Sequence, residues 1–149
     1  MATTVYLAGK MMGLTEEEMT SWRKEAEEYL TRHEIKVIDP VRAGMGLEEQ
    51  TSRQIVAINK YLINRSDVVL AELNHKEVSI GTIGEIIFAS SLGIPVFTWG
   101  SEIKVIYHPW VWEHITAAFE TLEKALVNIR DWSKEGNKST TPPYRGWSL

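Results

Sequence analysis

The chain predicts a three-layer α/β sandwich around a five-stranded parallel sheet of order 2-1-3-4-5. Short apolar runs alternate with stretches of helical periodicity along most of its length. One of those runs, Val68-Val69-Leu70-Ala71, is apolar on both faces, as strands buried between two helical layers are. Turn punctuation such as Asp39-Pro40 and Gly93-Ile94-Pro95 separates the segments. Parallel neighbours require right-handed crossovers, each covered by a helix, so the alternation stacks helices on both sides of the sheet.

The first strand is Val5–Ala8, closed by Gly9. Thr15 opens a helix through a Thr-x-x-Glu capping box with Glu18, and Met19, Trp22, Ala26, Tyr29 and Leu30 form its apolar stripe as far as His33. The Glu16–Glu18 run reads as a solvated helix start favoured by the helix dipole. Lys36–Ile38 is a second brief strand, followed by a glycine-flanked loop, Gly44-Met45-Gly46, a candidate substrate loop. A helix from Thr51 to Asn64 turns Ile55, Ile58, Asn59, Leu62 and Ile63 inward, and strand three begins at Val68. A helix over Thr82–Leu92 and a strand over Val96–Thr98 follow. The aromatic segment from Trp99 to Trp112 has no readable path. Ile115–Phe119 reads as a fifth strand, with Thr121 capping a last helix Leu122–Arg130, although a single helix over 112–132 fits the periodicity equally well. Residues 1–133 are expected to form one domain and 134–149 an extended tail, one that could dock on a second subunit.

Composition narrows the chemistry. The chain has 149 residues, 44% of them hydrophobic and 24% charged, an ordinary globular balance. It has no cysteine, which removes disulfides, Cys-ligated metal and thiol nucleophiles. Sixteen Lys and Arg against twenty Asp and Glu give a net charge of −4, the wrong sign for a protein that binds polymeric DNA or RNA. The apolar runs are short and the start of the chain carries no secretory pattern, so a cytoplasmic protein without a membrane partner is expected. The four histidines show no metal-ligand spacing, and no Ser-His-Asp order stands out, so neither a metal nor a triad is assigned. Gly81-x-x-Gly84 lacks the third glycine of a dinucleotide fingerprint, and there is no Walker loop; no cofactor is expected.

In a sheet of this order, the loops leaving strands one and three diverge at the carboxyl edge and open a crevice. Tyr6-Leu7-Ala8-Gly9-Lys10 and Ser79 to Glu85 both arrive there. Glu85 is the most informative residue, a single carboxylate in a helix otherwise apolar almost all round. Two readings stand, and they do not exclude each other. Thr82-x-x-Glu85 is itself a capping box, and a carboxylate in the first helical turn at a crevice is also held ionised, as a nucleophile must be. Tyr6 either packs against the first helix or reaches Glu85, and Asn59 is either a satisfied core amide or a ligand contact. Ser79 and Lys10 suit a ribose hydroxyl or a phosphate, or are ordinary loop residues.

The pieces Val5-Tyr6-Leu7-Ala8-Gly9, Ser66-Asp67-Val68-Val69-Leu70-Ala71, Gly81-Thr82-x-x-Glu85-Ile86-x-x-Ala89 and Gly93-x-Pro95-Val96 occur in the order of the nucleoside 2-deoxyribosyltransferase family, which the chain resembles over about residues 4–98, with a looser echo at 119–126. The resemblance implies a flavodoxin-like fold and homo-oligomers, dimers or larger, whose active sites a neighbour completes. It also implies a nucleophilic glutamate at Glu85 positioned by Tyr6. Asn59 stands where the family usually has an aspartate that helps protonate the leaving base, and an amide has no titrating proton to give. Ser79 stands where transferases of free nucleosides carry an aspartate; there the chain looks like the related deoxynucleoside 5′-monophosphate N-hydrolases.

The expected substrate is therefore a 2′-deoxynucleoside or its 5′-monophosphate, with water or a free nucleobase as acceptor. Glu85, Tyr6 and Asn59 are the candidate catalytic residues; Gly9, Lys10, Arg42, Ser79, Gly81 and Thr82 are the candidate substrate contacts. A nucleotide-binding module without turnover is the competing class. The cytokinin-activating phosphoribohydrolases also carry Gly-Thr-x-x-Glu, but the Pro-Gly-Gly approach to that loop is missing here.

Overall fold

The computed structural model describes residues 2–43, 51–101 and 104–136. Its elements run β1 (Thr4–Ala8), α1 (Glu16–Arg32), β2 (Lys36–Ile38), α2 (Pro40–Ala43), α3 (Ser52–Asn64), β3 (Val68–Glu72) and α4 (Ile80–Ser91). Then come β4 (Val96–Trp99), a 3-10 turn (Lys104–Tyr107), α5 (Pro109–Trp112), β5 (Ala117–Phe119) and α6 (Leu122–Lys134). The five strands are all parallel, as the alternation predicts, and their order β2-β1-β3-β4-β5 is the expected one. Register places Tyr6 opposite Val69 and Ala8 opposite Ala71, and Glu72 opposite Trp99 at the carboxyl edge.

Strand alternation divides the core in two. Val5, Leu7, Val68, Leu70 and Phe97 face α1 and α6 and meet Trp22, Ala26, Leu30, Leu126, Ile129 and Trp132. Tyr6, Ala8, Val69, Ala71 and Val96 face the other way and meet Ile63, Ile86, Ala89 and the Val111-Trp112 turn. Side-chain caps start the helices: Thr15 with Glu18 and Thr51 with Gln54 form complete capping boxes, and Thr121 caps α6 through the Lys124 N–H.

Two points the sequence left open are decided, and two boundaries move. The single helix over 112–132 does not form, because Thr116 and Ala117 join the sheet beside β4. The segment after β4 resolves into the 3-10 turn and α5, which His108 caps and whose Val111 and Trp112 are buried. Helix α6 extends through Lys134, past the expected Arg130 end and onto the first residue of the expected tail. Helix α4 starts at Ile80 with Ser79 as its N-cap, so the box proposed between Thr82 and Glu85 is absent. The glycine-flanked loop and the tail beyond Gly136 lie outside the described residues.

Candidate active site

Helix α3 does not seal its face of the sheet. Of its inward stripe only Ile63 is buried; Ile55 is 42% exposed and Val56 52%. Packed on α4, it leaves a cavity of about 330 Å³ at the carboxyl edge of the sheet, between Gly9 and Met11 on one side and Ile55, Asn59 and Lys60 on the other. Ser79, Thr82, Glu85 and Phe88 of the α4 segment supply its remaining wall. That volume is at the small end of ligand sites, roughly 300 to 1,000 Å³.

Glu85 lies in the second turn of α4, clear of the cap, and its carboxylate lines this cavity. The Tyr6 hydroxyl donates to Glu85 Oε2, a contact between residues 79 apart in sequence. Tyr6 is fully buried, paired with Val69 and facing the α4 side of the sheet. Burial pushes the Glu85 carboxyl up to about 7, against the opposing pull of the Tyr6 hydrogen bond and, more weakly, of the Arg23 charge. The same burial, then the negative charge of Glu85, drives the Tyr6 phenol above its ordinary range, so it stays a donor. The dipole argument alone expects an ionised Glu85; desolvation outweighs it, because the second turn is beyond the strongest part of the N-terminal field.

Ser79 Oγ accepts from the Thr82 N–H at 3.2 Å and from the Thr82 hydroxyl at 2.9 Å, which leaves the serine's own O–H to donate outward. Gly9 lines the cavity where no side chain fits: a Cβ there would stand 2.7 Å from the Trp22 ring and 3.2 Å from an Arg23 nitrogen. Lys10 bridges to Glu77 at 3.4 Å across the crevice loops, beside the cavity and not in its wall. Arg42 is apart from the rest. It pairs with Glu27 on the outer side of α1 and lines a separate shallow groove with Thr20 and Asp39. The structure thus brings together Tyr6, Gly9, Asn59, Ser79, Gly81, Thr82 and Glu85, places Lys10 at the margin, and leaves Arg42 elsewhere.

Three groups near the site escaped sequence reading. Lys60 lies on the cavity wall with its ammonium 5.2 Å from the centre of the Phe88 ring, and nothing in the sequence joins those two positions. Arg23 is buried and grips the end of β1; its signal is a charge standing in register with Ala26 and Leu30 on a core stripe. Glu72 continues the buried strand onto the α1 side of the sheet, where it accepts from the Asn74 N–H and lies 3.2 Å from His75 Nε2. Among the described residues no cluster of His, Asp or Glu is placed to hold a metal, and no helix is long and apolar enough to cross a membrane.

The chain is thus of the flavodoxin-like α/β class, with a tyrosine-bound carboxylate at the carboxyl edge of its parallel sheet. The particular family follows from comparison: the nucleoside 2-deoxyribosyltransferase profile matches residues 5–137, and the chain belongs to that family. Among solved structures it is similar to a 2-deoxyribosyltransferase from Bacillus psychrosaccharolyticus, with TM-score 0.64, 19% identity, and 83% of this chain and 90% of that one covered. A conserved protein from Enterococcus faecalis V583 follows, with TM-score 0.62 and 15% identity over 88% and 99% of the two chains. The CMP N-glycosidase BcmB of Clostridium botulinum gives TM-score 0.60 and 15% identity over 85% and 98%. At these identities the likeness is one of fold. No curated protein matches the chain.

Proposed function

We propose that the protein cleaves the N-glycosidic bond of a 2′-deoxynucleoside or its 5′-monophosphate through a covalent glutamyl-deoxyribose intermediate. The observation that carries this reading is the Glu85 carboxylate on the cavity wall, bound by the buried Tyr6 hydroxyl. A Glu85 oxygen attacks C1′ while the bond to the base breaks and its electron pair leaves with the base, the logic of a retaining glycosidase. Tyr6 holds the carboxylate in line by donating to the other oxygen. The resulting ester is opened at C1′ by water, giving hydrolysis, or by a nitrogen of a second base, giving transfer.

The two ends of the cavity suit the two ends of such a substrate. Ser79, Thr82 and the first N–H groups of α4 form the end fitted to a 5′ hydroxyl or phosphate, since helix N-termini favour anions. Lys10, which follows Gly9 of the cavity wall and pairs with Glu77 of the loop before α4, adds charge there. Asn59 at the other end donates an amide hydrogen bond to the base but gives it no proton, so the departing base takes its proton from solvent. That same amide favours one second reading, a nucleotide-binding module without turnover. Exposed apolar residues in the chain segments that line the cavity, Met12 at 91%, Ile80 at 87%, Val56 and Val78, support a homo-oligomer in which a neighbour covers the site.

The test is incubation with a panel of deoxynucleosides and deoxynucleoside 5′-monophosphates, with and without acceptor bases. Released base is followed by chromatography, and a deoxyribosyl adduct on the peptide carrying Glu85 by mass spectrometry. Nucleotide binding without released base selects the module, and full turnover in Glu85→Ala overturns the mechanism.

A further inference from the structure

Arg23 is the one fully buried cation among the described residues, and its contacts converge on the strand that carries Tyr6. Its side chain is 1% exposed and rises from α1. One terminal nitrogen donates to the Leu7 carbonyl at 3.1 Å and to Asp39 Oδ1 at 2.9 Å; the other donates to the Gly9 carbonyl at 3.2 Å. Leu7 follows Tyr6, and Gly9 lines the cavity. The remainder of this stripe is closed by Trp22, Ala26 and Leu30, so packing alone would be served by another apolar side chain. Buried ion pairs generally stabilise a fold no better than well-packed apolar residues do, and leave a costly lone charge when one partner is lost.

We infer that Arg23 is a positioning residue of the Glu85 site, a buried cation that holds the exit of β1 and supplies positive potential behind the carboxylate. The inference rests on the nucleophilic role proposed for Glu85. Its charge opposes the burial of Glu85, and it acts likewise on Tyr6, where Asp39 works in the opposite sense. The charged and titratable groups around Glu85 are Tyr6 from β1, Arg23 from α1, Asp39 beyond β2 and Lys60 from α3. Strands β3 and β4 present Val69, Ala71, Val96 and Thr98 to that side, none of them charged, and α5 with its flanks carries His108, Glu113 and His114, the first two exposed. Arg23 therefore carries out two separable tasks: two carbonyl bonds shape the Gly9 turn, and a positive charge keeps part of the Glu85 population ionised near neutrality.

The experiment compares wild type, Arg23→Met, Arg23→Lys and Asp39→Asn by the pH dependence of kcat/KM for base release. In parallel, the Glu85 carboxyl is titrated by NMR in 13C-glutamate-labelled protein without substrate, assigned with Glu85→Gln. Arg23→Met is expected to move the Glu85 midpoint up by about one pH unit, so that the rate at pH 6 falls about tenfold while most of it returns at pH 9. Arg23→Lys keeps the charge and is expected to hold the midpoint while lowering kcat. Asp39→Asn leaves Arg23 without its counter-charge and is expected to move the midpoint down. A folded Arg23→Met whose midpoint overlays wild type overturns the inference. So does an upward shift in Asp39→Asn, which decides alone should the methionine variant fail to fold. If wild type releases no base, the proposed function falls, and the substrate-free titration still decides the role of Arg23.

Discussion

The two faces of the sheet are built from the same strands and do opposite things. On the α1 and α6 side, two helices lay continuous apolar stripes on Val5, Leu7, Val68 and Leu70, and charge enters only at the carboxyl edge, with Arg23 and Glu72. On the α3 and α4 side, Tyr6, Ala8, Val69 and Ala71 are covered mainly by α4, while α3 leans away and leaves the cavity. The closed face supplies stability; the open one holds a buried carboxylate whose ionisation burial opposes. Sites that need a desolvated charge are commonly set against a rigid remainder of the fold, because the charge itself destabilises the folded state.

This contrast can be broken at several points. Glu85→Ala has the largest expected effect, a loss of base release of at least about a thousandfold, or roughly 4 kcal/mol in the barrier, with folding intact. On the closed face, Leu126→Ala is expected to lower unfolding free energy by about 3 kcal/mol in urea melts, with turnover per folded molecule unchanged. Equal loss of activity and stability there would erase the distinction between the faces.

Glu85→Gln sharpens it. The Glu85 carboxyl, raised from 4.5 to about 7 in the folded protein, keeps a proton that the unfolded chain gives up between those values. Stability from this group is thus present below pH 4.5 and is lost as pH rises through about 7. The glutamine variant escapes that loss, so its advantage over wild type is expected to grow by about 2 kcal/mol between pH 4.5 and pH 8, discounted for partial exposure of the site. A constant difference across that range would mean that burial does not oppose the charge.

Tyr6→Phe removes the hydrogen bond that favours the ionised carboxylate. Its expected cost is about tenfold in kcat/KM at neutral pH, with the acidic limb of the profile displaced upward. Wild-type activity should itself fall as pH drops through about 7, since the protonated carboxyl is no nucleophile. The smallest effect is expected for Ile55→Ala on the open face, about 0.5 kcal/mol in stability, read mainly as a rise in KM.

The architecture was readable because its signals are local. The run at 68–71 is apolar on both faces, Thr15, Thr51 and Thr121 stand ahead of amphipathic stripes, and each statement needs no more than about a dozen neighbouring residues. Where two local signals competed, the stronger-looking one lost. Thr82-x-x-Glu85 is a fuller capping signature than Ser79-x-x-Thr82, yet Ser79 caps α4, and Glu85 is engaged from β1 by Tyr6. The Asn64 end of α3 was legible as well, whereas the exposure of Ile55 and Val56 was not, because periodicity names a stripe without saying what covers it. Arg42 illustrates the same limit: its chain position beside a glycine-flanked loop suggested the crevice, and a carboxylate on α1 holds it on the outer surface.

From the residues alone came the parallel sheet between two helical layers and Glu85 as the informative residue near its carboxyl edge, since apolar periodicity, caps and turns act over short stretches of chain; the flavodoxin-like fold and Tyr6 as the partner of Glu85 came with the family resemblance. Tertiary structure alone decided that Glu85 leaves its own helix start to bind Tyr6, that α3 stands open over a cavity, and that Arg23 threads beneath the β1 exit. Those outcomes depend on desolvation and on charges brought together from distant segments, and such energies exist only once the layers have closed.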